Sequence, residues 1–236
     1  MQDQVMPDKS WVFDRQVADC FDDMLERSIP GLQTMRSLVT RIALRYAQPE
    51  TFIVDLGCSR GSAMEPLVKA LPSQRFIGVE VSEPMREHAQ MKFDREIGQG
   101  RVKIVDTDLR REYPDCMASV TLAILTLQFT PLEYRHHIMR RIFNHTVPDG
   151  VVILVEKVMG STAEWDALLT EEYLAFKGQS HYTQEQIARK RMALEGVLVP
   201  LTSEWNESLI QNAGFAKPEC FWRNLNFAGW VARKNV

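Results

Sequence analysis

The stretch Thr51-Phe-Ile-Val-Asp-Leu-Gly-Cys-Ser-Arg-Gly-Ser62 decides how this chain reads. Thr51 to Asp55 is rich in β-branched side chains and predicts a buried parallel strand. Gly57 and Gly61 bracket a tight turn, and Ser62 to Lys69 has helical character. A strand that passes through a glycine turn into a helix presents backbone N–H groups to a polar or anionic ligand. A Cβ at the glycines would obstruct both the turn and that approach. The spacing is D-x-G-x-x-x-G, distinct from the dinucleotide fingerprint G-x-G-x-x-G. An ordinary strand–helix turn can share it, so the flanking chain has to discriminate.

Toward the C-terminus the pattern alternates. Arg75–Glu80 predicts a second strand that closes on an acid, and Ser82 then N-caps a helix with Glu83 and Pro84 in its first turn. Val102–Val105 is the third strand, ahead of Asp106-Thr-Asp108, and Ala118–Leu125 is the fourth, running into Thr126-Leu-Gln-Phe129. Thr130-Pro-Leu-Glu133 reads as a capping box opening a helix to about His145. After the turn Pro148-Asp-Gly150, Val151–Val155 is a short fifth strand. Two helical patterns within Ser161–Val197, opened by capping boxes at Ser161-x-x-Glu164 and Thr183-x-x-Gln186, interrupt the alternation. A helix over Trp205–Asn212 and an antiparallel pair, Cys220–Trp222 with Phe227–Ala232, follow. Before the turn, helices over Asp14–Glu26 and Leu32–Tyr46, broken at Arg27-Ser-Ile-Pro-Gly31, would cover the site, while residues 1–10 are expected to fray.

The expected fold class is α/β and Rossmann-like, with a seven-stranded, mostly parallel sheet and an antiparallel edge. It reads as one domain over residues 1–236, with a helical cover at 11–47 and a helical insertion at 160–198. Ligands of such sheets bind beyond the carboxyl ends of the strands, which places Gly57, Glu80, Asp108, Ile124–Gln128 and Glu156 on one rim. In that setting the glycine turn is the pattern of S-adenosylmethionine (SAM) binding in class I methyltransferase-like folds. Glu80 is placed to accept both ribose hydroxyls, Asp108 to accept from an adenine amino group, and Leu109 to offer an amide. Glu156 is either a rim carboxylate or the buried partner of Lys157. Arg135, His136, His137, Arg140 and Arg141 suit a solvated basic face, and His181-Tyr182 a lid or an exposed loop. Lys190-Arg191 is either a solvated helix face or carries an inward Arg that grips a carboxylate bidentately. The motifs for a catalytic Ser/His/Asp order, an H-E-x-x-H zinc site or a phosphate-binding P-loop are absent from the sequence.

Composition narrows the classes further. The chain has 236 residues, 45% hydrophobic and 25% charged, with net charge -3 and pI near 6.0. That balance is ordinary for a soluble globular protein and lacks the basic footprint of a nucleic-acid binder, so no direct nucleic-acid binding is expected. Cys20, Cys58, Cys116 and Cys220 are scattered without metal-ligand spacing, so no metal is expected. The chain has no apolar run of about 20 residues and begins with a polar MQDQVMPDKS, which together predict a cytoplasmic protein without membrane contact.

More specific stretches lie outside the glycine turn. They are Phe13-Asp-x-x-Val-Ala-x-x-Phe21, Arg27-Ser-Ile-Pro-Gly31, Val54-Asp-Leu-Gly-Cys-Ser59, Thr126-Leu-Gln-Phe129, Glu156-Lys157, Lys190-Arg191-x-x-Leu-Glu195, Ala213-Gly-Phe215 and Leu225-Asn-Phe227. With them, about residues 11 to 234 resemble the carboxy-S-adenosyl-L-methionine synthase family. The resemblance implies a class I methyltransferase fold whose members use SAM and prephenate. Prephenate loses its carboxyl group and becomes phenylpyruvate, and the one-carbon unit ends on the SAM methyl as a carboxymethyl sulfonium. A partner enzyme then uses carboxy-SAM to modify the wobble uridine of tRNA. The resemblance also implies a homodimer, Arg191 as the ligand of the new carboxylate, and cofactor contacts at Gly57, Cys58, Ser59, Glu80, Val81, Asp108, Leu109, Ile124 and Leu32. Glu80 stands where the family has Asp, Leu32 where it has Tyr, and Ile124 where it has Asn; losing one such polar contact costs about 0.5–1.5 kcal/mol. Two other readings share the cofactor site: a conventional class I methyltransferase on a small-molecule acceptor, and a non-catalytic SAM-binding subunit of a tRNA-modifying complex.

Overall fold

The computed structural model describes residues 1–235. Two helices, α1 (Arg15–Ser28) and α2 (Leu32–Tyr46), precede the sheet. The alternating part is β1 (Phe52–Leu56), α3 (Glu65–Ala70), β2 (Arg75–Val79), α4 (Glu83–Lys92), α5 (Asp94–Gly98), β3 (Val102–Val105), β4 (Ala118–Ile124), α6 (Leu132–Asn144) and β5 (Thr146–Met159). Two helices, α7 (Ala163–Gln179) and α8 (Gln184–Leu194), come next. Then follow β6 (Leu201–Thr202), α9 (Ser203–Ala213), β7 (Glu219–Asn224) and β8 (Phe227–Arg233). The sheet order is β3-β2-β1-β4-β5-β8-β7, with β6 paired to β5 off that path. Strands β1 to β5 pair in parallel, whereas β8 runs antiparallel to both β5 and β7.

The side-chain alternation of the strands builds two cores. Ile53, Leu122 and Ile153 point to one face and pack with Leu32, Met35 and Val39 of α2 and Leu67 of α3. Val54, Ala123 and Leu154 point to the other and meet Ile138 and Ile142 of α6 and Leu209 and Ile210 of α9. Burying one such aliphatic side chain contributes about 1.5–3 kcal/mol, so both faces anchor the strand ends that carry the site.

The structure departs from the sequence expectation at several points. Strand β5 extends from Thr146 to Met159, far beyond Val151–Val155, because β8 pairs along it to Lys157 and β6 reaches Val158 and Met159. Pairing partners, which no periodicity reveals, set its length. The expected box at Thr130 does not form: Pro131 takes the cap position of α6 without a side-chain bond, and Thr130 O instead accepts from Arg135 Nε at 2.9 Å. Arg135 is accordingly buried rather than part of the basic face, and it also donates to Gln128 O and Val199 O. At α7 the cap is Thr162, whose hydroxyl accepts from Trp165 N, one residue after the expected Ser161. The Thr183–Gln186 capping box of α8 forms on both sides. Residues 1–10 do not fray. Asp3 and Val5 are buried, Trp11 N donates to Ala193 O at 2.8 Å, and the arm lies across α1 and α8.

Candidate active site

The turn between β1 and α3 is built by close approach. Gly57 takes φ +68° and Gly61 +74°, and a Cβ on Gly57 would stand 2.6 Å from Thr126 Oγ1. Only glycine gives both that backbone conformation and that clearance. Two non-glycine neighbours share the left-handed region, Ser59 at φ 49° and Leu125 at φ 59°. Each is held: Ser59 N donates to Glu80 Oε2 at 2.9 Å, and Leu125 N to Val155 O at 2.6 Å. Strained residues fixed in this way collect at ligand sites, where the surrounding fold over-determines them.

Glu80 staples the turn to the next helix, because its second oxygen accepts from Ser82 N at 2.8 Å. Beneath it Asp55 is wholly buried; burial pushes its carboxyl up to about 7, and the neighbouring Glu80 adds to the shift. Burial likewise raises the Glu80 carboxyl against the opposing pull of the Ser82 and Ser59 amides. Asp55 Oδ2 has no hydrogen-bond partner among the described residues. A buried acceptor left open beside a glycine turn suits a ligand that brings donors. Burial also pushes the Cys58 thiol well up, so the side chain stays protonated and inert.

These groups open on a cavity of about 730 Å³, a size typical of small-molecule sites. Gly57, Cys58, Ser59, Glu80, Val81, Asp108, Leu109, Ile124 and Leu32 all line it, so strand ends and the start of α2 converge on one space. Two details differ from simple expectation. The Cys58 amide is already used, donating to Val79 O at 2.9 Å. Asp108 is gripped by Arg110, whose Nη2 lies 2.7 Å from Oδ2, and that guanidinium holds the carboxyl below its usual range. An adenine amino group would share Asp108 with Arg110. The volume, the open Asp55 oxygen and the clearance at Gly57 nonetheless fit a SAM-sized nucleoside.

The far wall comes from β5, α7, α8 and the N-terminal arm. Lys157, Tyr173, Lys177 and Lys190 line it. Lys190 is inward and its ammonium is ion-paired with the Asp3 carboxylate, which also accepts from the Tyr182 hydroxyl. Burial works to raise the Asp3 carboxyl, but the Lys190 and Tyr182 bonds outweigh it and the net direction is down. Arg27 closes the same corner by donating to Asp3 O, Ser180 O and His181 O. Arg191, the next residue after Lys190, is exposed and stands outside the cavity wall, although its guanidinium is near enough to Lys157 to help depress that lysine. His136, His137 and His181 are exposed as well. Glu156 is neither at the rim nor ion-paired. It is buried, and Oε1 accepts from Thr126 N at 3.2 Å and Leu127 N at 3.0 Å, which fixes the segment beside Gly57. Tyr173 and Lys177 carry no signal in the sequence that would mark them as cavity residues, nor does Asp3 as the buried partner of Lys190.

Among the described residues, no cluster of three or more His, Cys, Asp or Glu side chains is placed to hold a metal ion, and no helix is long and apolar enough to cross a membrane. Residues 53–150 match a family described as a methyltransferase domain. The chain is 35% identical over 224 residues to the carboxy-S-adenosyl-L-methionine synthase of Methylococcus capsulatus, covering 94% of this chain and 93% of that protein. It is also 35% identical over 225 residues to the same-named protein of Aeromonas salmonicida, covering 94% and 91%. Among solved structures, human N-acetylserotonin methyltransferase in complex with SAM superposes with TM-score 0.63 at 16% identity, over 94% of this chain and 56% of that one. PigF with SAH superposes with TM-score 0.64 at 15% identity, over 97% of this chain and 63% of that one. The chain thus spans a little over half the length of these structural neighbours, whose likeness establishes the fold. By the extent and level of its identity to the curated relatives, the chain belongs to the carboxy-S-adenosyl-L-methionine synthase family.

Proposed function

We propose that this protein is a carboxy-SAM synthase that converts SAM and prephenate to carboxy-SAM and phenylpyruvate. The observation that carries this reading is the composition of a single cavity. One wall is lined by the nine residues that the resemblance assigns to the cofactor, and the other presents lysines that a methyl transfer to a neutral acceptor would not need. SAM binds against Gly57, Cys58, Ser59, Glu80, Val81, Asp108, Leu109, Ile124 and Leu32, and supplies the sulfonium methyl. The product serves a partner enzyme that modifies the tRNA wobble uridine.

Arg191 is assigned the new carboxylate. Because it is exposed in the single chain, that role requires the end of α8 to turn inward or a second copy to cover it. Trp165 and Leu168 of α7 and Met192 of α8 are 54%, 44% and 73% exposed, which supports a homodimer closing over these helices. We further propose that the chain functions as one SAM-binding domain, with helical covers at 11–47 and 160–198. Its four free cysteines support a cytoplasmic setting.

Mass spectrometry of the copurifying nucleoside, followed by incubation with SAM and prephenate, tests the proposal. Carboxy-SAM and phenylpyruvate are expected; their absence sinks the synthase reading. Arg191→Ala should abolish carboxy-SAM formation while sparing SAM binding, and an unaffected variant removes Arg191 from the reaction. The outward Arg191 also favours a second reading, a conventional class I methyltransferase, which plain SAM or S-adenosylhomocysteine in the purified protein would support.

A further inference from the structure

Among the described residues three lysines face the cavity, and one of them, Lys190, has a counter-ion there. Lys190 is matched by Asp3, but the side chains of Lys157 and Lys177 have no ion-pair or hydrogen-bond partner among the described residues. Lys177 is only 7% exposed. An ammonium withdrawn from water without a partner is strongly disfavoured, and native folds seldom carry such a charge idle. The Tyr173 ring explains how the two are tolerated: Lys157 Nζ lies 4.6 Å and Lys177 Nζ 5.7 Å from its centroid. A ring face stabilises a cation without consuming its N–H donors, so both ammonium groups keep donors for a ligand. The carboxylates nearby are already engaged. Asp3 is held by Lys190 and Tyr182, and Asp166 accepts from Gly160 N at 2.7 Å. The remainder of that wall is apolar, with Phe129, Leu194, Val197 and Leu198.

We propose that Lys157 and Lys177, both set against the Tyr173 ring, form the subsite that grips the carboxylate of the second substrate. The class of ligand is a small carboxylate with an apolar or cyclic body, the charge meeting the lysines and the body the surrounding aliphatic wall. The identity of that substrate as prephenate rests on the synthase reading; the subsite itself rests on the unpaired lysines. It is separate from the cofactor positions, which lie at the strand ends.

The test is isothermal titration of the SAM-loaded protein with prephenate and with phenylpyruvate, beside turnover assays. Lys157→Met and Lys177→Met should each weaken carboxylate binding at least tenfold and the double variant abolish it, with SAM affinity unchanged. Lys157→Arg should retain most of the binding, which a purely structural role would not require. If the variants hold SAM and bind both carboxylates like the parent, the subsite is overturned, and it also falls if the parent binds neither carboxylate. A parent that binds carboxylate through these lysines but yields no carboxy-SAM keeps the subsite and overturns the synthase reading instead.

Discussion

The two walls of the cavity are built on opposite principles. The strand-end wall works through backbone: a glycine clearance, positive φ at Ser59 and Leu125, and carboxylates that clamp amides. Its carboxylates Glu80 and Asp108 are engaged with the fold before any ligand arrives, whereas Asp55 Oδ2 is left open. The helical wall works through side chains, with cations set against aromatic rings and one carboxylate, Asp3, delivered by a distant arm. The first wall is therefore tuned to shape and the second to charge. A SAM-dependent transferase can keep the first while changing its chemistry through the second.

The contrast can be broken most severely at Asp3. Asp3→Ala leaves the buried Lys190 ammonium and the Tyr182 hydroxyl without their acceptor, and should cost about 3–5 kcal/mol in urea unfolding. A loss below about 1 kcal/mol would mean that the arm is decorative. At the other wall Gly57→Ala forces a Cβ into Thr126 at φ +68°. About 2–3 kcal/mol of strain is expected there, read as a SAM dissociation constant raised more than tenfold. Unchanged affinity would show that clearance at the turn is not what SAM needs.

Two pH effects follow. Burial raises the Glu156 carboxyl to about 8, so the stability due to its neutral form is full below the ordinary carboxylate range and is lost as pH rises through about 8. Glu156→Gln keeps an acceptor for Thr126 N and Leu127 N but does not ionise. Its melting temperature should be flatter between about pH 5 and pH 8, where the parent loses on the order of four kcal/mol. A parent-like slope would relocate the titration. Lys157 and Lys177 are both pushed down to about 8 by burial, the first helped by Arg191 against Asp166, the second by Lys190 and Lys157 against Asp3. They lose their protons above that pH, so KM for a carboxylate substrate should climb as pH passes about 8 while the SAM dissociation constant stays level. A flat KM would count against charge at the far wall. The smallest effect is expected from Ile124→Asn, which restores a polar contact at the cofactor wall and should tighten SAM by about 1 kcal/mol, roughly fivefold.

What could be read from the sequence divides along the same line. The strand-end wall was legible because glycine spacing, β-branched runs and caps such as Ser82 are local, and local chemistry determines them. The helical wall was not. A lysine in a helix is normally solvated, and the orientation of Lys177 becomes inward only because α7 lies over the cavity. The pair Lys190-Arg191 left both orientations open, and the structure sends one residue each way. Glu156 likewise needed the observed extension of β5 to show that it clamps backbone rather than reaching the rim.

The Asp3–Lys190 contact joins residues 187 positions apart. A polypeptide is synthesised from its amino end, so Asp3 exists long before its partners on α8. Until residue 190 has emerged, the arm can meet α1, through Asp23 and Arg27, but not α8, and the glycine turn and most of the parallel sheet can pair while the cavity stands open. Closing the charged corner is then a late, non-local event, with the entropy cost of a very large loop, and it falls to a segment that was made long before its partner. That corner is closed at the end of assembly by residues made well before those they meet.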